Sequence, residues 1–384
     1  MTRDRRGLPV PAALIAMALA VALTGCGNLQ APTDRRASGP VASGSVASVD
    51  PARLPERDAW QMLDLPGLER GSTVATVAAT GRVIVIAGSV RRHPAAWSSA
   101  DGTAWVREPI PGDERVPAAS VPWGDRILVV GGGETNRCGH PAALDAWVRD
   151  GEASWTEAPF TPAFCAGGAA SPAVSGNRAV MVGAGTADVP FGLASDDGVR
   201  WTEAKGAFPI GLPSAVAAAP FGFVAFGADD RAAWVERSPD GRHWSEPAGL
   251  PAPDGVPAGA GMRGDRVVGI IRAEEGPVFA VSSADGVSWA AERATGVDGN
   301  ELARVEAIPG GFVGIGGGTE LPQLWVSADA VTWRAASVPA EMNAESTIND
   351  VAIAGDLAIL VGSARIGGVL GGTAWAAPAR VLAP

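Results

Sequence analysis

The stretch Ser195-Asp196-Asp197-Gly198-Val199-Arg200-Trp201 is one copy of a pattern, Ser-x-Asp-Gly-x-x-Trp, that occurs six times in the chain. Asp-Gly predicts a tight two-residue hairpin turn, because both turn residues need positive φ and the carboxylate accepts backbone N–H groups. The tryptophan has the area to fill the gap between neighbouring sheets. The turn residues of the six copies are Asp101, Gly102, Trp105; Asp150, Gly151, Trp155; Asp197, Gly198, Trp201; Asp240, Gly241, Trp244; Asp285, Gly286, Trp289; and Asp329, Trp333.

Two copies depart from the pattern. The copy at Asp150 lacks the serine and has one extra residue, and the last copy has Ala330 in place of glycine. The six tryptophans still recur at intervals of 43 to 50 residues. This period matches one four-stranded blade of a β-propeller.

A second repeat supports the first. An apolar run ending in small residues lies about 20 residues before each copy, and the chain contains seven such runs, from Val83–Gly88 to Leu357–Gly362. Uninterrupted apolar runs are typical of strands that are buried on both faces. A shorter segment rich in Ala and Val precedes each run, as in Thr73–Val77 and Ile348–Ala352, and we expect it to lie nearest the axis.

Seven runs and six turns leave the last blade without its outer strand. The chain ends soon after Gly372–Trp375, which matches the third strand of the other blades, whereas Trp60–Pro66 resembles a fourth strand. We therefore predict an all-β protein with one seven-bladed β-propeller of four antiparallel strands per blade, in residues 55–384. Residues 58–65 close the ring and so remove its open edges.

The N-terminus has the features of an export signal. Arg3, Arg5 and Arg6 precede an apolar run from Leu8 to Leu23, which is too short for a secure membrane span. The following Leu23-Thr24-Gly25-Cys26 resembles the bacterial lipobox, and this resemblance implies that Cys26 is acylated after removal of residues 1–25. Two or more acyl chains anchor a protein stably to a membrane. Residues 26–54 then form the lipidated Cys and a flexible tether, and an ordinary secretory leader is the alternative.

The two remaining cysteines, Cys138 and Cys165, predict a disulfide, because paired cysteines outside the cytoplasm are usually oxidised. His140 lies near Cys138, but these three residues form a weak pattern for zinc. We expect no metal and no cofactor.

The repeated turn resembles the Asp-box, or BNR, repeat of sialidases and related propellers, in a variant that is one residue shorter. The resemblance covers roughly residues 56–380 and implies the fold, since in that family the box is a structural turn away from the active site. Sialidases use a tyrosine nucleophile, and this chain contains no tyrosine. No Walker, Rossmann or Gly-x-Ser-x-Gly pattern is present either. We therefore assign no catalytic residue.

The loops after the second strands share one face of a propeller and hold most of the local charge. Ordinary solvated loops would look the same, but as a group they are the best candidate for a binding face. Its residues are Arg91, Arg92, Arg137, Asp188, Asp229, Arg231, Arg272, Glu274, Glu320 and Arg365.

The sequence thus favours a non-catalytic binding or assembly scaffold, lipid-anchored outside the cytoplasm and monomeric, whose ligand is an envelope protein or a glycan. The net charge of −11 would repel a phosphate backbone, so we expect no nucleic-acid partner. The alternative is a glycoside hydrolase of sialidase-like fold with a non-standard active site, for which two carboxylates flanking a pocket would be the signature.

Overall fold

The structure is a computed structural model that describes residues 59–133, 143–159, 169–184, 189–206, 208, 211–229, 232–273, 276–317, 321–366 and 368–384. The described ranges contain 28 strands, followed by a short 3-10 helix at Ala379–Leu382. The strands are β1 (Gln61–Met62), β2 (Thr73–Ala79), β3 (Ile84–Val90), β4 (His93–Ser99), β5 (Val106–Pro109), β6 (Arg115–Trp123), β7 (Arg126–Gly133), β8 (Ala143–Arg149), β9 (Trp155–Glu157), β10 (Ala169–Ser175), β11 (Arg178–Ala184), β12 (Pro190–Ser195), β13 (Thr202–Glu203), β14 (Leu212–Ala219), β15 (Gly222–Ala228), β16 (Ala233–Ser238), β17 (Ala248–Gly249), β18 (Gly255–Arg263), β19 (Arg266–Ala273), β20 (Val278–Ser283), β21 (Ala290–Arg293), β22 (Leu302–Ile308), β23 (Gly311–Gly317), β24 (Pro322–Ser327), β25 (Arg334–Ala336), β26 (Thr347–Ala354), β27 (Leu357–Ile366) and β28 (Val369–Pro378).

These strands form seven four-stranded antiparallel sheets. Blades 1 to 6 each consist of four consecutive strands, beginning with β2, β6, β10, β14, β18 and β22, and blade 7 consists of β26, β27, β28 and β1. Each innermost strand contacts that of the next blade, and β26 contacts β2. The predicted seven-bladed β-propeller is therefore confirmed.

The ring closes through the N-terminal strand, as predicted. Gln61 lies opposite Ala376 and Met62 lies opposite Trp375 in β28. One further bond, from the Leu63 N–H to the Ala374 carbonyl at 2.8 Å, extends the pairing. The closing strand is shorter than the expected 58–65, because only these residues pair with β28.

The second strand of each blade is buried on both faces, which explains its uninterrupted apolar sequence. All seven residues of β3 are buried, for example. Tryptophans of the third strands fill the spaces between sheets: Trp97, Trp147 and Trp375 are fully buried. Two of their indole groups also bind the connection that enters their blade, since Trp97 Nε1 donates to the Pro66 carbonyl and Trp147 Nε1 to the Pro111 carbonyl, both at 2.9 Å.

The repeated turn is longer than the two-residue turn predicted from Asp-Gly. In the first copy, β4 ends at Ser99 and β5 begins at Val106, and only the glycine of Asp101-Gly102 has positive φ, 76°. The Asp101 carboxylate accepts the N–H groups of Thr103 and Ala104 at 2.8 and 3.0 Å. The Ser99 hydroxyl accepts the Gly102 N–H at 2.8 Å. In the turn, these side-chain oxygens accept N–H groups that backbone carbonyls would accept in a tighter turn. The chain therefore reverses over the six residues 100–105.

The hydrogen bonds also fix the charge of the turn carboxylates. Burial raises the pKa of Asp101, but the hydrogen bonds from Ala104 and Thr103 outweigh it and lower the pKa to about 2. Asp197 has the same arrangement, with Arg200 and Val199 as donors, and its pKa is also about 2. Both carboxylates are therefore ionised in the folded protein at neutral pH.

The copy that lacks serine has an arginine in its place. Arg149 lies opposite Ile127 in the sheet, just as Ser195 lies opposite Ala179. Its guanidinium binds the Glu108 carboxylate of blade 1 through two nitrogens, Nη2 at 2.7 Å and Nε at 2.8 Å. A buried ion pair between blades 1 and 2 thus replaces the local hydrogen bonds of the serine.

Candidate functional site

The two ends of the propeller differ in what they present. The repeated turns lie at one end, which we call the turn end. The opposite end holds the connections from second to third strands and those between blades, such as residues 91–92 and 110–114. We call this the loop end, and it is where the predicted binding face lies.

Arg91 and Arg92 form the turn between β3 and β4 at the loop end. Both have positive φ, 51° and 70°, which is the geometry of a two-residue turn that favours Asn-Gly. Non-glycine residues in this region are uncommon and cost local stability. The Arg91 guanidinium lies 2.6 Å from the Glu69 carboxylate, and the His93 ring lies 3.2 Å from Asp113. The two arginines are therefore held in a strained turn among charged neighbours.

Three other predicted residues of this face bind within their own chain. Asp229 accepts the Ala232 N–H at 2.9 Å, and Arg272 Nη1 donates to the Leu302 carbonyl at 2.8 Å. Arg365 pairs with Glu345 through two nitrogens. They lie in blades 4, 5 and 7, so the structure places them around the loop end and does not bring them together. Arg137, Asp188, Arg231, Glu274 and Glu320 lie outside the described residues, as do Cys26, Cys138 and Cys165.

A buried ion cluster underlies the loop end of blade 2. The Arg115 side chain is 1% exposed, and its Nη1 lies 3.1 Å from the Asp145 carboxylate and also contacts Glu157. Burial raises the pKa of Asp145 to about 7; the charge of Arg115 opposes this rise and that of Glu157 adds to it. Two carboxyl groups therefore share one guanidinium, and one of them is protonated part of the time near neutral pH.

Polar side chains also line the central channel, where the innermost strands otherwise carry Ala and Val. We call Thr76, Ser120, Arg304, Glu306 and Asp350 the channel cluster; they come from β2, β6, β22 and β26. Arg304 Nε lies 2.8 Å from Glu306 Oε1, and the two side chains are 41% and 35% exposed. Because β22 is an innermost strand, this exposure is to the channel.

Asp350 connects blade 7 to blade 1. Its Oδ2 accepts the Thr76 hydroxyl at 2.6 Å and the Val77 N–H at 2.9 Å. Since Thr76 donates its proton to Asp350, it must accept from the Ser120 hydroxyl, 2.7 Å away in blade 2. Asn349 adds a bond from Nδ2 to the Val74 carbonyl at 2.8 Å. Hydrogen bonds thus run around the channel across three blades.

The two carboxyl groups of the channel cluster have raised pKa values. For Glu306, whose side chain is 35% exposed, partial burial among the inner strands is the main cause of the raised pKa; Arg304 opposes this rise, and the charge of Asp350 adds to it. Burial likewise raises the pKa of Asp350, although Arg304 and the hydrogen bonds from Thr76 and Val77 oppose it. The channel cluster thus contains two carboxyl groups, those of Glu306 and Asp350, and one guanidinium group, that of Arg304.

The sequence did not reveal the channel cluster. A signal was present, because Arg304 and Glu306 are two charges in a segment expected to be apolar. The sequence does not show which side of each strand these residues occupy, because β-bulges shift the register between Leu302 and Arg304 and between Ile348 and Asp350. The regular alternation of side chains between the two faces of a strand is therefore interrupted in β22 and β26.

Glu236 in blade 4 is a buried carboxyl group at a position that holds tryptophan in four other blades. It lies opposite Ala225, as Trp97 lies opposite Ile86. It is 1% exposed, and both its oxygens accept the Phe208 N–H at 3.2 Å. Burial raises its pKa to about 7, the Phe208 N–H opposes this rise, and Glu246 adds to it.

Replacing Glu236 with Gln should flatten the pH dependence of stability. The folded protein binds this proton more tightly than the unfolded chain, so the contribution of Glu236 is full at low pH and is lost as pH rises through about 7. Between pH about 4.5 and about 7 the wild-type protein should lose roughly 1 kcal/mol per pH unit through this group, and above about 7 this slope should vanish. Urea unfolding at a series of pH values measures the slope. The exposed Glu203→Gln is the control, and an unchanged slope in E236Q would contradict the assignment.

Further features of the described residues bear on the site. Val116, Val256 and Leu321 are exposed at the loop end, and Val287 is exposed at the turn end. In the described ranges, no group of three or more His, Cys, Asp or Glu side chains is arranged to hold a metal ion. No helix within those ranges is long and apolar enough to cross a membrane.

Solved structures similar to the chain include sialidases and other propeller proteins. Streptogramin B lyase has a TM-score of 0.55 and 9% identity, over 83% of this chain and 96% of the lyase chain. Puromycin hydrolase has a TM-score of 0.52 and 16% identity, over 81% and 53%. The sialidase of Trypanosoma rangeli has a TM-score of 0.44 and 13% identity, over 81% and 55%.

The seven four-stranded sheets define the protein as a seven-bladed β-propeller, and the likeness to the lyase and the hydrolase agrees with this fold. At such low identities the likeness shows the fold alone. The chain spans about half the length of the hydrolase and sialidase chains that it matches. No protein-family model and no curated protein matches the chain.

Proposed function

We propose that this protein is a non-catalytic binding or assembly scaffold that acts outside the cytoplasm, and that its loop end binds a protein or glycan of the cell envelope. The observation that carries the proposal is the turn Arg91-Arg92. Two arginines occupy positions where Asn-Gly would be more stable. A residue choice that costs local stability supports a role in binding, because such strain persists where function requires it.

The export signal supports the location. We propose that Cys26 carries the lipid, that residues 27–54 hold the propeller away from the bilayer, and that Cys138 and Cys165 form a disulfide. The repeated turn, in its resemblance to the Asp-box of sialidases, serves as a structural element in this account. The repeated turns lie at the turn end, and the partner binds at the opposite, loop end.

Replacement of Arg91-Arg92 by Asn-Gly separates binding from folding. The variant R91N/R92G should raise the free energy of unfolding by about 1 kcal/mol, because both residues tolerate positive φ. It should also lose most of its binding. Binding is measured by crosslinked capture of the anchored protein from its own envelope, with a glycan array as a second readout.

The control for this experiment is Arg82→Asn, which removes one positive charge, half of that lost in R91N/R92G, from an exposed position at the turn end. R82N should capture the same partner as the wild-type protein. The proposal would be overturned if R91N/R92G retained full binding in both readouts, or if the two variants lost binding equally.

A glycoside hydrolase is the second candidate, and the pair Glu306 and Asp350 favours it. Two carboxyl groups with raised pKa values at one site are typical of acid catalysis. Asp350, however, already accepts hydrogen bonds from Thr76, Val77 and Val351, so its oxygens are occupied by the protein itself. Release of a fluorogenic glycoside by the purified protein, and its loss in Glu306→Gln, would establish the hydrolase and reject the scaffold.

A further inference from the structure

Blades 7 and 1 adjoin at the ring closure, and both carry the same polar motif at their loop ends. In each blade a Ser-Thr pair is followed, after 14 residues, by Gly-Ser-x-Arg. The motif spans residues 72–91 in blade 1 and residues 346–365 in blade 7, and Ser-Thr occurs nowhere else in the sequence. Since strand β26 contacts β2, the two copies of the motif lie side by side.

Each copy of the motif forms a pair of hydroxyl groups where the first two strands of the blade reach the loop end. The Thr73 hydroxyl lies 2.8 Å from that of Ser89, and the Thr347 hydroxyl lies 2.9 Å from that of Ser363. The residues at the corresponding positions are Val116 and Gly132 in blade 2, Leu212 and Ala228 in blade 4, and Val256 and Arg272 in blade 5. These residues have no hydroxyl group, so the two pairs distinguish blades 7 and 1 from blades 2, 4 and 5.

An exposed ion pair accompanies each pair of hydroxyl groups. Arg91 Nε lies 2.6 Å from Glu69 Oε2, and Arg365 Nη2 lies 2.9 Å from Glu345 Oε1. The two arginines occupy the same position of the motif, but the glutamates do not: Glu69 lies three residues before the first serine of its copy, and Glu345 lies one residue before. Because the contact is the same although the glutamate position differs, duplication of a blade does not by itself account for it.

Hydrogen bonds join the two copies of the motif into one surface. Thr347 Oγ1 donates to Asn349 Oδ1 at 3.2 Å, and Asn349 Nδ2 donates to the Val74 carbonyl of blade 1 at 2.8 Å. Because Thr347 gives its only hydroxyl proton to Asn349, it accepts the proton of Ser363. The hydroxyl pair of blade 7 therefore offers only lone pairs to a ligand. An anionic group brings acceptors alone, whereas a sugar hydroxyl can donate to these oxygens.

We propose that the two copies of the motif are equivalent binding positions for successive sugar units of an uncharged glycan chain. This inference rests on the proposed function, in which the loop end binds the partner, and it selects a glycan as that partner. The glutamate and arginine of each ion pair add an acceptor and a donor for further sugar hydroxyls. Two positions that act on one chain raise its affinity through effective concentration, without any new kind of contact.

The affinity of the wild-type protein for oligosaccharides of increasing length tests the proposal. The probes are oligomers of glucose, galactose, mannose and N-acetylglucosamine with one to four units, and oligomers that carry carboxylate or phosphate groups. For at least one neutral series the affinity should rise about 100-fold from one unit to four. Stronger binding of the charged oligomers, or no binding of any neutral series, would overturn the inference. If the protein then still captured an envelope protein through Arg91-Arg92, the proposed scaffold would stand without it.

The variants Thr73→Val and Thr347→Val each remove one hydroxyl group from one copy of the motif. Valine keeps the β-branched shape that suits a strand, so both variants should fold. Each should lower the affinity for the four-unit oligomer about tenfold, and by similar amounts, because the two positions are equivalent. The control is Thr202→Val, at an exposed position in β13 of blade 3, which should bind as the wild type does. Full binding by both T73V and T347V, or an equal loss in T202V, would overturn the inference.

Discussion

Replacement of Glu108 with Ala is expected to lower the free energy of unfolding by about 3–5 kcal/mol. Glu108 is 6% exposed and accepts four hydrogen bonds. Arg149 donates two of them, and the Ser98 hydroxyl and the Trp155 indole donate one each. Its removal leaves the buried Arg149 charge without a counter-ion, which costs more than the pair itself contributes. Urea unfolding at neutral pH measures the loss.

A double variant separates the cost of the orphaned charge from that of lost packing. In E108L/R149M both charges are replaced by apolar groups, and most of the stability lost in E108A should return.

The charge of Glu108 also makes the ion pair with Arg149 sensitive to acid. Burial raises the pKa of Glu108, but the hydrogen bonds from Arg149, Ser98 and Trp155 outweigh it and lower the pKa. The contribution is therefore present above the ordinary glutamate pKa and is lost as pH falls below it. A loss of less than about 1 kcal/mol in E108A would contradict this account.

Replacement of Trp60 with Ala should lower the free energy of unfolding by about 3–5 kcal/mol and should promote self-association. Trp60 is 7% exposed, packs against the core between blades 6 and 7, and donates from Nε1 to the Ser337 carbonyl at 2.8 Å. It fixes the strand that covers the edge of β28. Without it, the unpaired edge becomes available to another chain.

The neighbouring Gln61→Ala is the matched control, because Gln61 directly follows Trp60 and is exposed in β1. It should change stability by less than about 0.5 kcal/mol. Urea unfolding gives the free energies, and size-exclusion chromatography detects the association. Equal behaviour of W60A and Q61A would mean that residues 60–62 contribute little to closure.

The sequence predicted the fold because the blade repeats its own signals. Spaced tryptophans gave the period, and seven apolar runs gave the number of blades. The unmatched run at Leu357–Gly362 then required a closing strand from the N-terminus. Each of these signals is local or periodic, and each follows from the demand for burial within one sheet.

The candidate site could be predicted only in part. Arg91 and Arg92 were recognised from their position after a second strand, although their positive φ was not. The channel cluster unites residues that are far apart in the sequence, and bulges reverse the sides on which they project. The Arg149 substitution was visible only as a missing serine, since its partner Glu108 lies in another blade. Contacts between repeats, unlike those within a repeat, leave no periodic signal.

The pairing of β1 with β28 also affects how fast the protein can fold. It joins Gln61 to Ala376, so almost the whole chain is a single loop when this contact forms. The entropy of closing a loop grows only with the logarithm of its length, whereas folding rates fall steeply as contacts become more distant in sequence. Closure should therefore be a late kinetic step that follows formation of the individual sheets, and the fluorescence of Trp60 should change in the slowest refolding phase.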